Sequence, residues 1–249
     1  MKKTVDLVIP MYNEEEQIEW SITTLRKFAR ENLQNYDWKI IVADNASKDR
    51  TLEIAKALAE KYPEVGFHHM DIKGRGKSLV KVWGDSKSDI CAYMDTDHST
   101  DLKHLPVIIN KIANEGYDIA IGSRNLPNSD VERSLKRTII SKGYITIIKL
   151  FMGIHFSDAQ CGFKAASRQS IDKIFPLLEP DKWDGGKIGS AWFFDTEFLV
   201  IADKAGFKIY EEPVKWTEDP GTTVHIMRDA IEDLRGLWRL KWSRPWMRL

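Results

Sequence analysis

Ile90-Cys91-Ala92-Tyr93-Met94-Asp95-Thr96-Asp97 is the stretch that decides the fold. The apolar run reads as a buried strand, and a buried strand cannot continue through two carboxylates one residue apart. The strand therefore ends at Met94, and the pair faces a cleft. Side chains at i and i+2 of an extended segment point to one side, so Asp95 and Asp97 are expected to converge on one hard cation. Mg²⁺ or Mn²⁺ suits such a pair, because both take oxygen ligands and share them with substrate phosphates. The expected ligand is the metal–diphosphate of a nucleotide-linked donor. An isolated Asp-x-Asp is common in surface loops, so the rest of the chain has to support this reading.

Upstream, Thr4 to Pro10 reads as a strand ended by a proline that cannot extend the ladder. Asn13 is expected to cap a helix whose first turn, Glu14-Glu15-Glu16, suits the helix dipole. Trp38 to Ala43 is a second strand, and the polar run Asp44 to Asp49 opens a helix with apolar Leu52, Ile54, Ala55 and Leu58. Val65 to Met70 and Tyr117 to Ile121 are further strands, with a short helix over Lys77 to Gly84. Strands alternating with helices mean an α/β fold with a mainly parallel sheet flanked by helices. In such sheets ligands bind beyond the carboxyl ends of the strands. Pro10–Asn13, Asp44–Ser47, Gly74–Lys77 and Asp95–Asp97 all fall on that edge.

Several tempting motifs fail. Gly74-Arg75-Gly76-Lys77-Ser78 has Asp71 where a nucleotide-triphosphate loop needs its first glycine. Arg75 or Lys77 facing a diphosphate, and a plain turn entering a helix, both stay open. Asp95 to Asp101 begins like a calcium loop, but Thr100 and Pro106 stand where glycine and glutamate are required. His68, His69, His98 and His104 show no metal spacing. No Gly-x-Gly-x-x-Gly follows the first strand, which disfavours a dinucleotide-dependent oxidoreductase.

Past Gly122 the pattern changes. Leu135 to Phe156 reads as a long helix with Arg133, Lys136 and Arg137 at its start. Arg137 and Ser141 lie four apart, on one helix face. Cys161 to Ala166 reads as a strand, Phe193 to Ala205 as a helix carrying Asp195 and Glu197, and Lys208 to Trp216 as another strand. From Leu234 onward Arg235, Arg239, Lys241, Arg244 and Arg248 meet no acid, with Trp238, Trp242 and Trp246 between them. Tryptophan favours the headgroup layer and basic residues an anionic surface, so this segment is expected to dock reversibly on a membrane. A helix packed on its own domain or on a partner is the competing reading.

Composition sets limits. The 249 residues suffice for one large domain, and 43% hydrophobic with 30% charged residues is ordinary for a globular chain. Lys+Arg and Asp+Glu balance at 37 each, which argues against nucleic acid as a partner. Cys91 and Cys161 read as reduced cytoplasmic thiols. No window reaches the roughly 20 apolar residues of a membrane span; Tyr144 to Ile154, the nearest, carries Lys149.

Read together, the clusters resemble the family 2 glycosyltransferases of the GT-A (Rossmann-like) fold. Within them, dolichyl-phosphate β-glucosyltransferases are most similar, followed by dolichol-phosphate mannose synthases. The stretches that carry the resemblance are Val8–Glu15, Ala43–Thr51, Asp95–Asp97, Gly122–Arg124, Asp158–Lys164, Phe194–Glu197 and Val214–Glu218. The Gln-Cys-Gly-Phe-Lys and Trp-Thr-Glu runs point to the lipid-phosphate glucosyl branch. Two positions depart from pattern: Asp44-Asn45 replaces a tandem Asp-Asp, and Ser99 stands where mannose synthases place glutamine.

The resemblance implies a donor site of Pro10, Tyr12, Glu14, Asp44, Arg75, Asp95 and Asp97, with Asp95 and Asp97 on the metal. It implies an acceptor-phosphate site of Arg124, Arg137 and Ser141, joined by Arg133, and catalytic roles for Asp97, Arg124 and Asp195. The expected reaction moves a hexose, glucose from UDP-glucose ahead of mannose from GDP-mannose, to polyprenyl or dolichyl phosphate with inversion. A transferase acting on a sugar hydroxyl would need Asp195 as base; a phosphate acceptor would not. A non-catalytic sugar-nucleotide-binding module is the remaining alternative. Residues 1–225 would form the catalytic domain and 226–249 a basic, aromatic amphipathic helical segment at the cytoplasmic face of a membrane.

Overall fold

The computed structural model describes residues 1–183, 193–218 and 226–249. Residues 219–225, at the end of the expected catalytic unit, lie outside those described. In chain order the elements are β1 (Thr4–Met11), α1 (Ile18–Asn32), β2 (Asp37–Asn45), α2 (Thr51–Lys61), β3 (Val65–Met70), α3 (Arg75–Asp85) and β4 (Ile90–Met94). Then come α4 (Leu105–Asn114), β5 (Ile119–Ser123), β6 (Asp130–Glu132), α5 (Leu135–Met152), β7 (Phe163–Ser167) and α6 (Arg168–Ile174). The last are α7 (Phe193–Lys204), β8 (Ile209–Pro213), β9 (Lys215–Thr217) and α8 (Ile226–Ser243).

A seven-stranded sheet runs β3-β2-β1-β4-β7-β5-β8. All its pairings are parallel except those of β7, which runs antiparallel to both β4 and β5. Alternation along β1 sends Val5, Leu7, Ile9 and Met11 to one face, with α1, α2 and α4. Val8, Ala43, Cys91 and Tyr93 face the other, under α3, α5, α6, α7 and α8. Both faces are covered, so the strands read as continuous apolar runs. Each fully buried Leu, Ile or Phe contributes about 1.5–3 kcal/mol.

Register then positions the site. Met11 stands beside Asp44, and Asp44 beside His69, so the ends of β1, β2 and β3 are level. Because β7 is antiparallel, its start meets the carboxyl end of β4: Lys164 lies opposite Tyr93, and Phe163 opposite Met94. The one reversed strand delivers a lysine to the edge where parallel strands release their ligands.

Several expected boundaries move, each for a local reason. Asn13 does not cap α1, which begins at Ile18; it adopts φ 55° and ties two loops together. Its Oδ1 accepts from Lys48 N–H at 2.8 Å, and its own N–H donates to Ser47 Oγ at 3.0 Å. The short helix over Lys77 to Gly84 starts earlier, at Arg75, straight after Gly74. The long helix stops at Met152, because Gly153 takes the left-handed conformation that ends helices. Lys208 to Trp216 is not one strand. Pro213 ends β8, and Lys215–Thr217 leaves to pair with β6 in a separate two-stranded sheet.

Candidate active site

β4 ends at Met94 as expected, but Asp95 to His98 form a turn closed by His98 N–H to Asp95 O at 3.2 Å. Extended-strand alternation therefore does not govern the two carboxylates. Asp95 continues the β4 pattern onto the Tyr93 face and meets Arg75, at the start of α3, at 2.8 Å. Asp97 curls back instead, accepting from Ser99 N–H at 2.8 Å and Ser99 Oγ at 2.5 Å. They stay close enough for the Asp97 charge to act on Asp95. Partial burial pushes the Asp95 carboxyl above the usual range, Arg75 opposes that, and Asp97 adds to it. Asp95 lies flat over Gly162, whose missing side chain is the space its carboxylate fills.

Behind Asp95 lies a closed polar cluster. Asp195, in the first turn of α7, is buried and holds Arg75 at 3.0 Å and Lys164 at 2.9 Å. Tyr93 donates its hydroxyl to the same carboxylate, while Lys164 donates to the Tyr93 oxygen at 3.2 Å and to Cys161 O at 2.5 Å. Burial alone would raise the Asp195 carboxyl, but Lys164 and Arg75 outweigh it and hold it below the usual carboxylate range. Burial likewise works against the charge on Arg75, and Asp95 and Asp195 more than restore it. Asp195 is thus an anion clamped between two cations, a poor proton acceptor.

At the neighbouring strand ends, Asp44 is fully buried and accepts from His69 Nδ1 at 2.5 Å. Its other oxygen, Oδ1, is buried with no hydrogen-bond partner. Capping of α2 does not explain it. That task belongs to Asp49, which accepts from Thr51 N–H at 3.0 Å and Thr51 Oγ1 at 2.6 Å. An orphaned carboxylate oxygen costs about 1–3 kcal/mol unless a ligand satisfies it. Around it, Asn45 Oδ1 anchors Gly74 N–H at 2.5 Å, and Pro10 O accepts from Thr96 Oγ1 at 3.2 Å. Lys73 Nζ lies 3.6 Å from the Tyr12 ring centroid, and Glu14 N–H donates to Thr51 Oγ1 at 2.8 Å.

A second charged assembly lies across the cleft. Arg124 grips Asp158 with Nε and Nη2 at 2.8 and 3.0 Å, and its backbone N–H adds a third bond at 3.0 Å. Burial would raise Asp158, but Arg124 outweighs it and keeps the carboxyl low. Arg137 Nη1 pairs with Glu218 Oε1 at 2.6 Å. Arg133 bonds only neutral groups among the described residues, Thr138 Oγ1 at 3.2 Å and Asn125 Oδ1 at 3.3 Å. Burial and then the nearby Arg124 charge lower its affinity for a proton. Ser141 sits half-buried one turn beyond Arg137 on α5. An open pocket of about 440 Å³ is lined by Glu16, Gln17, Trp20, Asp97, His98, Ser99, Thr217 and Glu218.

The sequence reading missed Lys164, Tyr93, His69, Asp158 and Glu218 as site residues. Lys164 had a signal: a lysine inside the apolar run Gly-Phe-Lys-Ala-Ala of a buried strand needs a buried partner. Asp95 and Asp97 fit a divalent cation by their donor chemistry, since both offer carboxylate oxygens and one of them, Asp97, has only Ser99 as a hydrogen-bond partner among the described residues. Among the described residues no group of three or more His, Cys, Asp or Glu forms a metal shell. The pair would therefore share a cation with ligand oxygens and water.

The C-terminal helix serves its own domain on one face. Leu237 and Leu240 are in the core, and Arg239 binds the buried Glu197 at 2.6 Å and also Glu179. On its other face Trp238 and Trp242 are 59% and 68% exposed. No helix among the described residues is long and apolar enough to cross a membrane.

A mainly parallel α/β sheet with carboxylates at its strand ends is the architecture of GT-A glycosyltransferases, and solved structures of that class superpose on it. The glucosyl-3-phosphoglycerate synthase of Mycobacterium tuberculosis, in complex with Mn²⁺, UDP and phosphoglyceric acid, aligns with TM-score 0.65 at 16% identity. The alignment covers 98% of this chain and 78% of that one. Residues 6–175 match the description "Glycosyl transferase family 2", and the chain belongs to that family; it is a glycosyltransferase. Among curated relatives, glycosyltransferase AglD of Haloferax volcanii is 35% identical over 241 residues, 95% of this chain. The chain spans only 37% of AglD's length. Dolichyl-phosphate beta-glucosyltransferase of Dictyostelium discoideum is 28% identical over 260 residues, covering 95% of this chain and 77% of its own.

Proposed function

We propose that this glycosyltransferase moves a hexose, glucose ahead of mannose, from a nucleotide sugar to a polyprenyl or dolichyl phosphate. One observation carries the choice of acceptor: Arg124, Arg133 and Arg137 gather in one assembly, where Arg133 bonds only neutral groups among the described residues, while Asp195 is locked. A phosphate monoester carries about −1.5 to −2 at pH 7 and attacks without losing a proton. An acceptor hydroxyl would instead need a base, and the Asp195 carboxylate already accepts from Tyr93 and Lys164 and pairs with Arg75.

On this reading Asp44 Oδ1 accepts an N–H of the base, with Pro10, Tyr12 and Glu14 around the nucleoside. Asp95 and Asp97 hold Mg²⁺ or Mn²⁺, which, when bound, offsets charge on the leaving diphosphate. Arg75 sits on the diphosphate side of Asp95, positioned by Asp195. Arg124, Arg133, Arg137 and Ser141 orient the acceptor phosphate. One of its oxygens bonds to the anomeric carbon from the face opposite the diphosphate, and the electron pair of the broken bond leaves with the diphosphate. An α-linked donor thus gives a β-linked product. Positioning and fixed charges supply most of the rate.

Residues 226–249 and the outer face of α5 would meet the cytoplasmic face of a membrane. Support comes from Leu135, Ile139 and Leu150, exposed along α5, and from Trp238, whose ring stacks on Phe151 at 6.0 Å. The reaction is tested with radiolabelled UDP-glucose and GDP-mannose, a short-chain polyprenyl phosphate, and Mg²⁺, Mn²⁺ or EDTA. Metal-dependent label in the lipid phase is expected from one donor. Donor binding with no lipid label would overturn the acceptor assignment.

A further inference from the structure

The fully buried Asp44 carboxylate is held from one side. Its Oδ2 accepts from His69 Nδ1 at 2.5 Å, and its Oδ1 is buried with no hydrogen-bond partner. A carboxylate only accepts, so Nδ1 carries the proton of this bond. The sheet builds the pair: β2 and β3 run parallel, and their register sets Asp44 directly beside His69. His69 stands on the edge strand with its side chain 35% exposed. Its Nε2 lies 3.5 Å from Asp71 Oδ1, but the Asp71 side chain is 97% exposed, and a pair so open to water adds little. The contact that matters at His69 is therefore the one to Asp44.

The terminal torsion of an aspartate is broad, so a carboxylate held by nothing turns easily. Fixing Oδ2 fixes where Oδ1 points. The fold makes no use of Oδ1, and a buried acceptor left empty is costly unless a ligand fills it. If the ligand is the nucleotide base, a fixed oxygen asks for a ring N–H at one place. Uracil and guanine carry one. Cytosine and adenine present a lone pair at the corresponding ring nitrogen, and their exocyclic amine lies one atom further round the ring. A fixed oxygen meets the first two bases and repels the others. An oxygen free to swing can follow the amine, because hydrogen bonds weaken steeply only when the geometry cannot adjust.

We propose that His69 is a positioning residue for base selectivity: by holding Asp44 Oδ2 it aims Oδ1 at the ring N–H of uracil or guanine and so excludes cytosine and adenine nucleotides. The inference rests on the reading of Asp44 as the acceptor for the base. His69 itself does not touch the nucleotide. Its effect passes through the direction of one carboxylate, which makes the ratio between two bases the quantity to measure.

The test is calorimetric binding of UDP, CDP, GDP and ADP, each with Mn²⁺, to wild type, His69→Phe, His69→Asn and Asp44→Asn. Wild type is expected to prefer one N–H base over its amino counterpart, UDP over CDP or GDP over ADP, by about tenfold or more. His69→Phe keeps a ring and loses the donor, and should lower that ratio about fivefold or more. His69→Asn, whose amide nitrogen takes the place of Nδ1, should restore most of it. A folding defect removes binding sites for both nucleotides alike and leaves the ratio where it was. An unchanged ratio in His69→Phe, with the ratio lost in Asp44→Asn, overturns the role of His69 and leaves Asp44 facing the base. A wild type without preference, or a ratio that neither substitution moves, overturns both. Should His69→Phe not fold, His69→Val, which suits an edge strand, is read by the same criterion.

Discussion

Two arginine–carboxylate assemblies, one around Asp195 and one around Arg124, are built to different ends. Around Asp195, buried Lys164 and Tyr93 and the largely covered Arg75 converge, and both oxygens of Asp195 are occupied. Around Arg124 and Arg137 stand Asp158 and Glu218, Arg133 bonds only neutral groups among the described residues, and Glu218 lines an open pocket. A closed cluster positions; an open one binds. On the proposed reading the first aims Arg75 and Asp95 at the donor, and the second offers its guanidiniums to the acceptor phosphate.

Breaking the closed cluster should cost the most. Asp195→Asn strips the counter-charge from wholly buried Lys164, and removing one partner of a buried pair costs about 3–5 kcal/mol. Denaturant unfolding should show that loss. Arg133→Ala in the open assembly should leave stability within about 1 kcal/mol, which sharpens the contrast.

Gly162→Ala comes next. A methyl group there runs into the Asp95 carboxylate, and displacement by even about 1 Å at a reacting centre can cost 10²-fold in rate. The expected result is a fall in kcat of that order with donor still bound, read by steady-state transfer. On the open side, Arg133→Ala should raise the acceptor KM about tenfold or more, the cost of losing hydrogen bonds to a charged group. The donor KM should hardly move.

The smallest effect involves His98, which lies beside Asp97 in the shared pocket. Burial pushes its pKa down to about 4, with Asp97 only partly opposing. The unfolded chain takes up this proton near pH 6.5 and the folded chain does not, so stability is lost as pH falls from about 6.5 toward 4. His98→Asn, which tolerates the φ of 49° found there, should flatten that part of the pH–stability curve.

Much of the sheet edge was legible because it is local. A five-residue apolar run ending in carboxylates and glycine before a helix act over a few residues, and the sheet edge follows from alternation, although β1 runs one residue past Pro10 to Met11. What escaped is set by pairing between distant segments. Nothing in Cys161 to Ala166 announces that β7 runs antiparallel and so carries Lys164 to Tyr93. Arg124 and Asp158 are far apart in the chain, as are Arg137 and Glu218, so the sequence offered basic residues without their partners. The turn at Asp95–His98 was likewise hidden, because i, i+2 convergence presumes a strand that has already ended. The C-terminal helix is mixed in character: its basic, tryptophan-rich sequence suggested a surface, yet Arg239 turns inward to Glu197 while Trp238 and Trp242 stay outside.

The central claim is that the open assembly receives a phosphate and that no base removes a proton from the acceptor. Its most direct test sets a short-chain polyprenyl phosphate and the matching polyprenol at equal concentration in one reaction with labelled donor and Mg²⁺ or Mn²⁺. The account predicts label only in the phosphate lipid, as an acid-labile glycosyl phosphate, with transfer at low acceptor concentration weakened about tenfold or more by Arg133→Ala. Label in the alcohol, undiminished by Arg133→Ala and abolished by Asp195→Asn, would contradict it.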